Sequence, residues 1–414
     1  MSSVKTHSTI LIFAYYSFKD PVFQSAVLPY FNGLSRESPG LRFILLTFEQ
    51  KKFLLDKATV IRVEEELREH NITWFRASWN SGSFKLVKKA YDILQSIVLS
   101  SYLLVRFKVD KIYSEGFPGA VLSHWLAKIF RKDHIVHTFE PHTQYMIEAG
   151  VWNEGNWEAK MLRKYEIKVA KGATHLLTAT DAMVQRLGKM KLKAQVLRVP
   201  SCVDMDTFRY QPGERIRIRA QLNVKDDEVM IVYLGKFGGM YMEEEIFEFY
   251  KVCEEYPRLK FKYLVLTIEE KGKVLDLIDR YSLPKNKFFI KKVSRSEVSS
   301  YLSSSDFGFV AVRQFPGKRF CSPIKDGEYW ACGLPVIIPE GISDDYIHAS
   351  QHEIGIVMKD TTKESFTRVC EEMLEWRSKD KEEVVDRCRD FVKSDRDISL
   401  FKPMYRKIFL AGKA

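Results

Sequence analysis

Apolar and polar positions follow two different periods along the first half of the chain. Short, nearly continuous apolar runs predict buried strands. The longer segments between them repeat their apolar positions roughly every third or fourth residue and predict helices. We predict strands at residues 9–15, 43–48, 59–63, 72–75, 112–114, 135–139, 175–179 and 194–199. We predict helices at residues 22–35, 84–107 and 156–171. This alternation indicates a parallel sheet with helices on both faces.

A second pattern of the same kind starts near residue 229, after a segment that interrupts the first. Further strands are predicted at residues 229–234, 261–266, 287–291, 306–312 and 336–338. The interrupting segment, residues 199–210, reads VPSCVDMDTFRY. We therefore predict an α/β protein with two doubly wound domains, residues 1–205 and 206–398, and a C-terminal helix within residues 399–414.

Composition and cysteine usage restrict the class of protein. The chain has 414 residues, of which 45% are hydrophobic and 29% charged, as is typical of globular proteins with more than one domain. No run of about 18 apolar residues occurs, and no small-residue cleavage site follows the first apolar run, so we expect neither a membrane span nor a signal peptide. The six cysteines show no metal-ligand or redox spacing. We therefore expect free thiols and a cytoplasmic protein.

The net charge of +11 is concentrated in the N-terminal half. Residues 1–205 contain 29 Lys and Arg against 19 Asp and Glu, whereas the remaining residues contain 36 against 35. Nine basic residues lie in a stretch with three acidic ones: Lys85, Lys88, Lys89, Arg106, Lys108, Lys111, Lys128, Arg131 and Lys132. This excess favours an anionic partner, with a membrane surface, a lipid-phosphate acceptor and nucleic acid as the candidates.

The predicted helix at residues 84–107 is apolar in its second half and basic at both ends. We expect its apolar residues to be buried in the first domain. The alternative is an interfacial helix that rests on anionic lipid, because such helices combine an apolar face with basic flanks.

Residues 322–337 (SPIKDGEYWACGLPVI) have the strongest chemical signal in the chain. They follow an apolar run predicted to be a buried strand. Ser322 is a favourable helix N-cap, Pro323 fits the first helical position, and Gly333 ends the helix before the next strand. The backbone N–H groups at a helix start attract anions, and phosphates above all.

Two charged side chains lie next to this predicted helix start. Lys325 adds a positive charge in the first turn, and Glu328 lies about one turn further along. The amides and the lysine suit a diphosphate, and the isolated carboxylate suits the ribose hydroxyls. Together they indicate a site for a nucleotide sugar. The alternative is an ordinary strand–helix connection in which Glu328 is solvated.

The segment resembles the nucleotide-sugar site of retaining glycosyltransferases of family four, which have the GT-B fold, and in particular their Ser-Pro-x-Lys-x-x-Glu-Tyr subgroup. The matching residues are Ser322, Pro323, Lys325, Glu328, Tyr329, Ala331, Gly333, Pro335 and Val336. The domain junction of the family is similar to this chain at Pro200, Val203, Asp204 and Phe208. The resemblance implies two Rossmann-like doubly wound domains facing a cleft, and a final helix that crosses back to the first domain.

The resemblance also assigns roles to three other segments. Residues 233–239 (YLGKFGG) look like the family's glycine-rich loop, with Lys236 at the basic position that contacts the diphosphate. Family members place a histidine on a loop after a strand of the first domain, for which His142 is the best match and Glu140 the alternative. Residues 292–295 (KVSR) look like the segment that contacts the base through its backbone.

The resemblance thus implies a donor site and a set of catalytic groups. The implied donor-binding residues are Gly235, Lys236, Val293, Ser322, Pro323, Ile324, Lys325 and Glu328. The implied catalytic residues are His142, Glu140 and Lys236. We expect no metal and no cofactor, because the lysines and the helix start would stabilise the leaving diphosphate.

Two positions depart from the family pattern. Met242 occupies the place of a second lysine, for which Lys325 would compensate, with Arg313 and Lys318 as weaker candidates. Phe320 occupies the place of a glutamate that contacts the donor sugar in many members. The identity of the donor sugar therefore stays open.

These observations predict an enzyme that transfers a sugar from a nucleoside diphosphate sugar to a glycan, or a lipid-linked glycan, without a metal ion. The resemblance implies that the transfer proceeds with retention. The basic N-terminal half adds the prediction of attachment to the inner face of the cell membrane. The alternatives are a sugar-nucleotide epimerase of the same fold, a GT-B binding protein without catalysis, and a basic nucleic-acid-binding protein. Nucleic acid is not expected as a partner, because the chain has no RNA-binding or helix-turn-helix signature.

Overall fold

The computed structural model describes residues 6–80, 85–138 and 141–412. The chain divides into two compact units, one comprising Met1–Pro200 and Ile398–Ala414 and the other Ser201–Asp397. Within the described ranges, no helix combines the length and hydrophobicity that a membrane crossing requires.

The described strands of the first unit form a seven-stranded parallel sheet. They are β1 (Ser8–Ala14), β2 (Leu41–Gln50), β3 (Ile72–Trp79), β4 (Lys111–Glu115), β5 (Asp133–Thr138), β6 (His175–Thr178) and β7 (Gln195–Arg198). Their order is β3-β2-β1-β4-β5-β6-β7, so the direction of winding reverses between β1 and β4. That reversal defines a doubly wound sheet.

Helices cover both faces of this sheet. They are α1 (Leu28–Glu37), α2 (Lys57–Glu69), α3 (Lys85–Arg106), α4 (Phe117–Ile129), α5 (His142–Glu148), α6 (Trp157–Gly172) and α7 (Asp181–Gly188). Crossover connections between parallel strands are right-handed, so α1 and α2, which wind towards β3, lie on one face. The helices that wind towards β7 lie on the other face, where α4 contacts both α3 and α6.

The strand predicted at residues 59–63 is wrong, because these residues lie within α2. Asp56 caps this helix by accepting a hydrogen bond of 2.9 Å from the backbone N–H of Thr59. Val60, Val63 and Leu67 then form the buried side of the helix. The short apolar run therefore belongs to a helix, whose apolar residues recur every three to four positions, and not to a strand.

The second unit has a six-stranded parallel sheet among its described residues. Its strands are β8 (Glu228–Leu234), β9 (Lys260–Leu266), β10 (Phe288–Lys291), β11 (Phe307–Phe309), β12 (Val336–Pro339) and β13 (Gly355–Met358). The order is β10-β9-β8-β11-β12-β13, the Rossmann order. The fold class predicted from the sequence, two doubly wound α/β domains, is therefore confirmed.

Eight further helices belong to the described part of the second unit, and the first of them, α8, precedes the sheet. They are α8 (Pro212–Gln221), α9 (Glu244–Glu255), α10 (Lys271–Arg280), α11 (Arg295–Ser304), α12 (Ile324–Ala331), α13 (Asp345–Gln351), α14 (Lys363–Trp376) and α15 (Lys381–Asp395). Two details differ from the prediction. The strand expected at residues 306–312 is regular only over Phe307–Phe309, and the short edge strand β13 was not predicted.

The last helix of the described residues is α16 (Lys402–Leu410), which packs in the first unit against α1 and β1. Its contact is aromatic. Tyr405 and Phe409 are fully buried, and the ring of Phe409 lies 6.0 Å from that of Phe43 and 6.1 Å from that of Tyr113. Burial of such large rings explains why the C-terminal helix is held firmly in this unit.

Candidate functional site

The strand order of the second unit brings two of the predicted motifs to one edge of the sheet. β8 and β11 are neighbours at the point where the winding reverses, which is where open α/β sheets bind ligands. The glycine-rich loop at residues 235–239 follows β8 directly. The connection that leads to α12 follows β11. The two motifs are more than 80 residues apart in the chain and are brought together by the topology.

Tyr329 fixes α12 against the end of β8. The backbone N–H of Leu234 donates a hydrogen bond of 3.0 Å to the Tyr329 hydroxyl. The Tyr329 ring lies so close to Gly308 on β11 that a Cβ there would come within 2.7 Å of it. Trp330, on the next position of α12, donates from Nε1 to the carbonyl of Ile354 at 3.0 Å. These buried contacts set the position of the helix start relative to the loop.

Gly235 is the point of closest approach between the loop and α12. Its φ of +154° lies at the edge of the region that favours glycine. A Cβ at this position would lie 2.8 Å from Nζ of Lys325 and 2.9 Å from the Tyr233 hydroxyl. The absence of a side chain at Gly235 therefore leaves room for the Lys325 ammonium. That ammonium also lies 4.2 Å from the centre of the Tyr241 ring, a cation–π contact.

The environment of Lys325 lowers its pKa to about 8, chiefly because burial disfavours the charged form. Lys236, which is exposed, lowers it further by charge repulsion, while Glu328 and Asp326 oppose the shift. The loop and the helix thus present two lysines to the same space. Such a pair of cations is poised for a ligand with more than one negative charge.

Glu328 is buried on α12 and pairs with Arg295 at the start of α11. The distance from Arg295 Nη1 to Glu328 Oε1 is 3.0 Å, and the Glu328 side chain is 5% exposed. Burial raises the pKa of Glu328, whereas the positive charges of Arg295 and Lys325 oppose that rise. The Arg295 guanidinium also lies 5.0 Å from the centre of the Phe208 ring.

Arg295 was not predicted as a site residue. The sequence placed it in the segment 292–295, next to Val293, and that segment does lead into a helix. A reciprocal pair of hydrogen bonds between Ser294 and Glu297 fixes the helix start, and Val293 is half-buried against the core. The signal that could have identified Arg295 is its place at a helix start, as the last residue of the proposed base-binding segment. Its pairing with Glu328 depends on tertiary contact.

The prediction that Ser322 is the N-cap of α12 is wrong. The helix begins at Ile324, after Pro323, and Ser322 makes no capping bond. Its hydroxyl accepts hydrogen bonds from the backbone N–H of Ser201, at 3.1 Å, and from Arg396 Nη1, at 2.7 Å. Because these buried donors take the hydroxyl, Ser322 anchors the chain ahead of the helix. The first N–H groups of α12 receive no side-chain cap from it.

A buried cluster of charges supports this anchor. Arg396 is fully buried, forms an ion pair with Asp345 and donates to the carbonyl of Ser201 at 2.9 Å. Asp326, in the first turn of α12, is also buried, and its pKa is raised well above the usual range by burial and by the neighbouring Asp345.

The positions that depart from the family pattern lie in the core or have other partners. Met242 is 1% exposed and its backbone N–H donates to the carbonyl of Ala311, and Phe320 is 2% exposed. Arg313 Nε lies 3.2 Å from a carboxylate oxygen of Glu245. Lys318 is buried. Lys325 and Lys236 are thus the predicted cations that the structure brings together at the loop.

Of the predicted catalytic residues, Lys236 belongs to the second unit, and His142 and Glu140 belong to the first. His142 is half-buried as the first residue of α5, and its ring lies 5.5 Å from that of Trp152. The backbone N–H and hydroxyl of Thr143 donate to Glu166 of α6 at 2.7 and 2.6 Å, which fixes this helix start. Burial raises the pKa of Glu166. Glu140, the alternative to His142, lies outside the described residues.

Solved structures similar to this chain have the same architecture. Alr3699/HepE of Anabaena, in complex with UDP and glucose, is 13% identical, with 97% of this chain and 99% of that chain covered and a TM-score of 0.70. The GT-B architecture is thereby established for this chain. The sucrose-phosphate synthase of Thermosynechococcus elongatus gives the same identity, coverage and TM-score.

WaaG, a glycosyltransferase involved in lipopolysaccharide biosynthesis, is 12% identical, with 98% of this chain and 100% of that chain covered and a TM-score of 0.66. The chain matches no protein-family model and no curated protein sequence. At these identities the likeness shows the fold.

Proposed function

We propose that the protein is a glycosyltransferase that moves a sugar from a nucleoside diphosphate sugar to a glycan or lipid-linked acceptor, with retention and without a metal ion. One observation carries the proposal. Gly235 lets the loop approach Lys325 at the start of α12, while Glu328 lies one turn further along the same helix. Two cations, a helix start and a carboxylate thus occupy the ligand-binding edge of a Rossmann-like sheet.

The diphosphate would be held by Lys236, Lys325 and the first N–H groups of α12, at Ile324 and Lys325. Negative charge grows on the diphosphate as the bond to the sugar breaks, so cations placed there favour the transition state over the bound donor. Gly235 would contribute by close backbone approach. In this proposal Ser322 and Pro323 position the helix start and do not bind the donor through their side chains.

Glu328 would accept hydrogen bonds from the ribose hydroxyls. That role requires the ionised carboxylate, which burial disfavours and the positive charge of Arg295 favours. Arg295 is therefore proposed as a positioning residue that favours the charged form of Glu328. The base would lie against the backbone around Val293, at the end of β10.

The reacting groups of the first unit would be His142, with Glu140 as the alternative. Glu166 is proposed to position His142 through its two hydrogen bonds to Thr143. The setting that fits the basic N-terminal half is the cytoplasmic side of an anionic membrane. The complexes of HepE with UDP and with UDP-glucose make a UDP-sugar the first donor to test.

A thermal-shift screen against nucleoside diphosphate sugars identifies the donor, and donor turnover then tests the reaction. Release of free nucleoside diphosphate only when an acceptor is added supports transfer. Conversion of the donor without an acceptor supports the epimerase. Donor binding without either reaction would contradict the enzymatic proposal.

Variants of the two acidic residues Glu328 and Glu371 test the location of the donor site. Glu328→Ala should reduce the thermal shift caused by the donor. Glu371→Ala, on the exposed side of α14, is the matched control and should leave the shift unchanged. Lys236→Ala should weaken binding of the nucleoside diphosphate more than that of the monophosphate. An equal loss for both ligands would argue against contact with the second phosphate.

A further inference from the structure

Helix α3 exposes a row of large apolar side chains. The row, here called the α3 apolar face, consists of Tyr91, Ile93, Leu94, Ile97, Val98, Tyr102 and Val105. Each of these side chains is between 36% and 68% exposed. The only charged residue between positions 90 and 105 is Asp92, which is buried and accepts hydrogen bonds from Asn80. The expectation that the apolar residues of this helix are buried is therefore wrong for these seven residues.

The α3 apolar face is separate from the part of the helix that builds the core. Leu103 and Leu104 pack into the core of the first unit, and Ser96 and Ser100 are buried with them. The exposed row runs along the opposite side for about 20 Å, at 1.5 Å per residue. A helix on the surface of a soluble protein normally places polar residues there. An apolar surface of this length indicates a binding partner.

The neighbouring helices extend the apolar surface. α4 contacts α3 and exposes Trp125 and Ile129, and α6 contacts α4 and exposes Trp157, Met161 and Ile167. Twelve of the twenty large apolar side chains that are exposed in the described residues belong to these three helices. They share one face of the sheet, so the apolar surface is concentrated on one side of the unit.

Basic residues surround this surface. On α6 the exposed side chains include Lys160, Arg163, Lys164, Lys168 and Lys171, and on α4 Lys128 lies 5.5 Å from the ring of Trp125. Two members of the predicted basic patch do not contribute. Lys111 is buried in an ion pair with Asp133, and Lys89 lies over the ring of Trp79 at 3.9 Å. Lys128, which lies beside the Trp125 ring, and the exposed basic residues of α6 are thus on helices that carry the apolar surface.

We propose that the α3 apolar face, with the exposed residues of α4 and α6, inserts into the interfacial region of a membrane that contains anionic lipid. Branched aliphatic side chains, aromatic rings and flanking lysines are the combination that such an interface accepts. A second copy of the chain fits less well, because it would bring the basic residues of α6 against those of its partner. The inference rests on the proposed function, whose acceptor it places at the lipid surface.

Co-sedimentation of the full chain with vesicles tests this inference. The protein should bind vesicles of phosphatidylglycerol and phosphatidylcholine more tightly than vesicles of phosphatidylcholine alone. Binding should weaken as salt rises from about 0.05 to 0.5 M, because salt screens the electrostatic part. The double variant Leu94→Glu/Val98→Glu should bind at least about tenfold more weakly, since it places charge on the apolar face.

A matched double variant controls for the added charge. Ile216→Glu/Ile268→Glu changes two equally exposed apolar residues of the second unit and should bind vesicles as the wild type does. Circular dichroism checks that both variants fold. An equal loss of vesicle binding in both double variants would show that net charge, and not the α3 apolar face, governs binding. That result would overturn the inference.

Two further outcomes separate this inference from its rival and from the proposed function. A wild-type dimer that Leu94→Glu/Val98→Glu dissociates, without vesicle binding at low salt, would show that the face joins two copies. Donor binding is measured on the same proteins without lipid. Vesicle binding without donor binding would contradict the proposed function alone, and donor binding without vesicle binding would contradict the membrane inference alone.

Discussion

Binding of the nucleoside diphosphate should weaken as pH rises through the pKa of Lys325. This lysine lies beside Gly235 and Tyr241, where burial lowers its pKa to about 8 from the usual 10.5. The ammonium is charged below that pKa and neutral above it. If the charged form binds the diphosphate, the affinity must fall on the alkaline side.

The expected size of the effect follows from the pKa. A group with a pKa of about 8 is roughly 90% charged at pH 7 and roughly 10% charged at pH 9, so the affinity should fall roughly tenfold between them. The bound diphosphate stabilises the ammonium, so its pKa should be higher in the complex. The alkaline limb of kcat should then lie at higher pH than that of kcat/KM.

Calorimetry at a series of pH values tests this reasoning with two variants. Lys325→Met removes the charge and should give weak binding that does not change between pH 7 and 9. Lys325→Arg keeps a charge at every pH and should remove the alkaline limb while retaining affinity. Wild-type affinity that is constant over this range would refute the argument. So would a fall that persists in Lys325→Met, because it would then come from another group or from the ligand.

Three more substitutions have defined expectations. Glu328→Ala should raise the Kd of the donor at least about tenfold, since each hydrogen bond to a charged group contributes about 1.5–3 kcal/mol, and an unchanged Kd in calorimetry would remove the ribose assignment. Tyr329→Phe removes the acceptor for the Leu234 N–H, so it should destabilise the fold by about 1 kcal/mol and lower Tm. Arg396→Met leaves Asp345 unpaired in the interior and should cost about 3–5 kcal/mol in chemical denaturation. Adding Asp345→Asn should restore part of that loss, and additive effects would argue against their pairing.

The local pattern of the chain was sufficient to predict two doubly wound α/β units and the strand–helix–strand order around residues 322–337. Continuous apolar runs become buried parallel strands wherever helices cover both faces, so their positions can be read without a structure. Gly333, with a φ of +69°, does follow the end of α12. These features depend on residues close together in the chain.

Local pattern failed where two interpretations compete within a few residues. The apolar positions at 59–63 suit a strand or one turn of a helix, and the cap supplied by Asp56 decides for the helix. Ser322 has the chemistry of an N-cap, but Arg396 and Ser201 take its hydroxyl. Both partners are more than 70 residues away from Ser322 in the chain. The sequence around residue 322 therefore does not show that its hydroxyl is already engaged.

The candidate site depended on the tertiary structure. Strand order places the loop at Gly235 beside Lys325, and helix packing pairs Arg295 with Glu328. The sequence by itself was enough to predict a nucleotide-sugar site at Lys325 and Glu328, because a helix start, a cation and a carboxylate lie within a few residues of one another in the chain. Only the tertiary structure decided which side of α3 covers the core and which remains exposed. The apolar pattern indicates that the helix has two apolar faces. Which of them is buried depends on which one packs against the sheet.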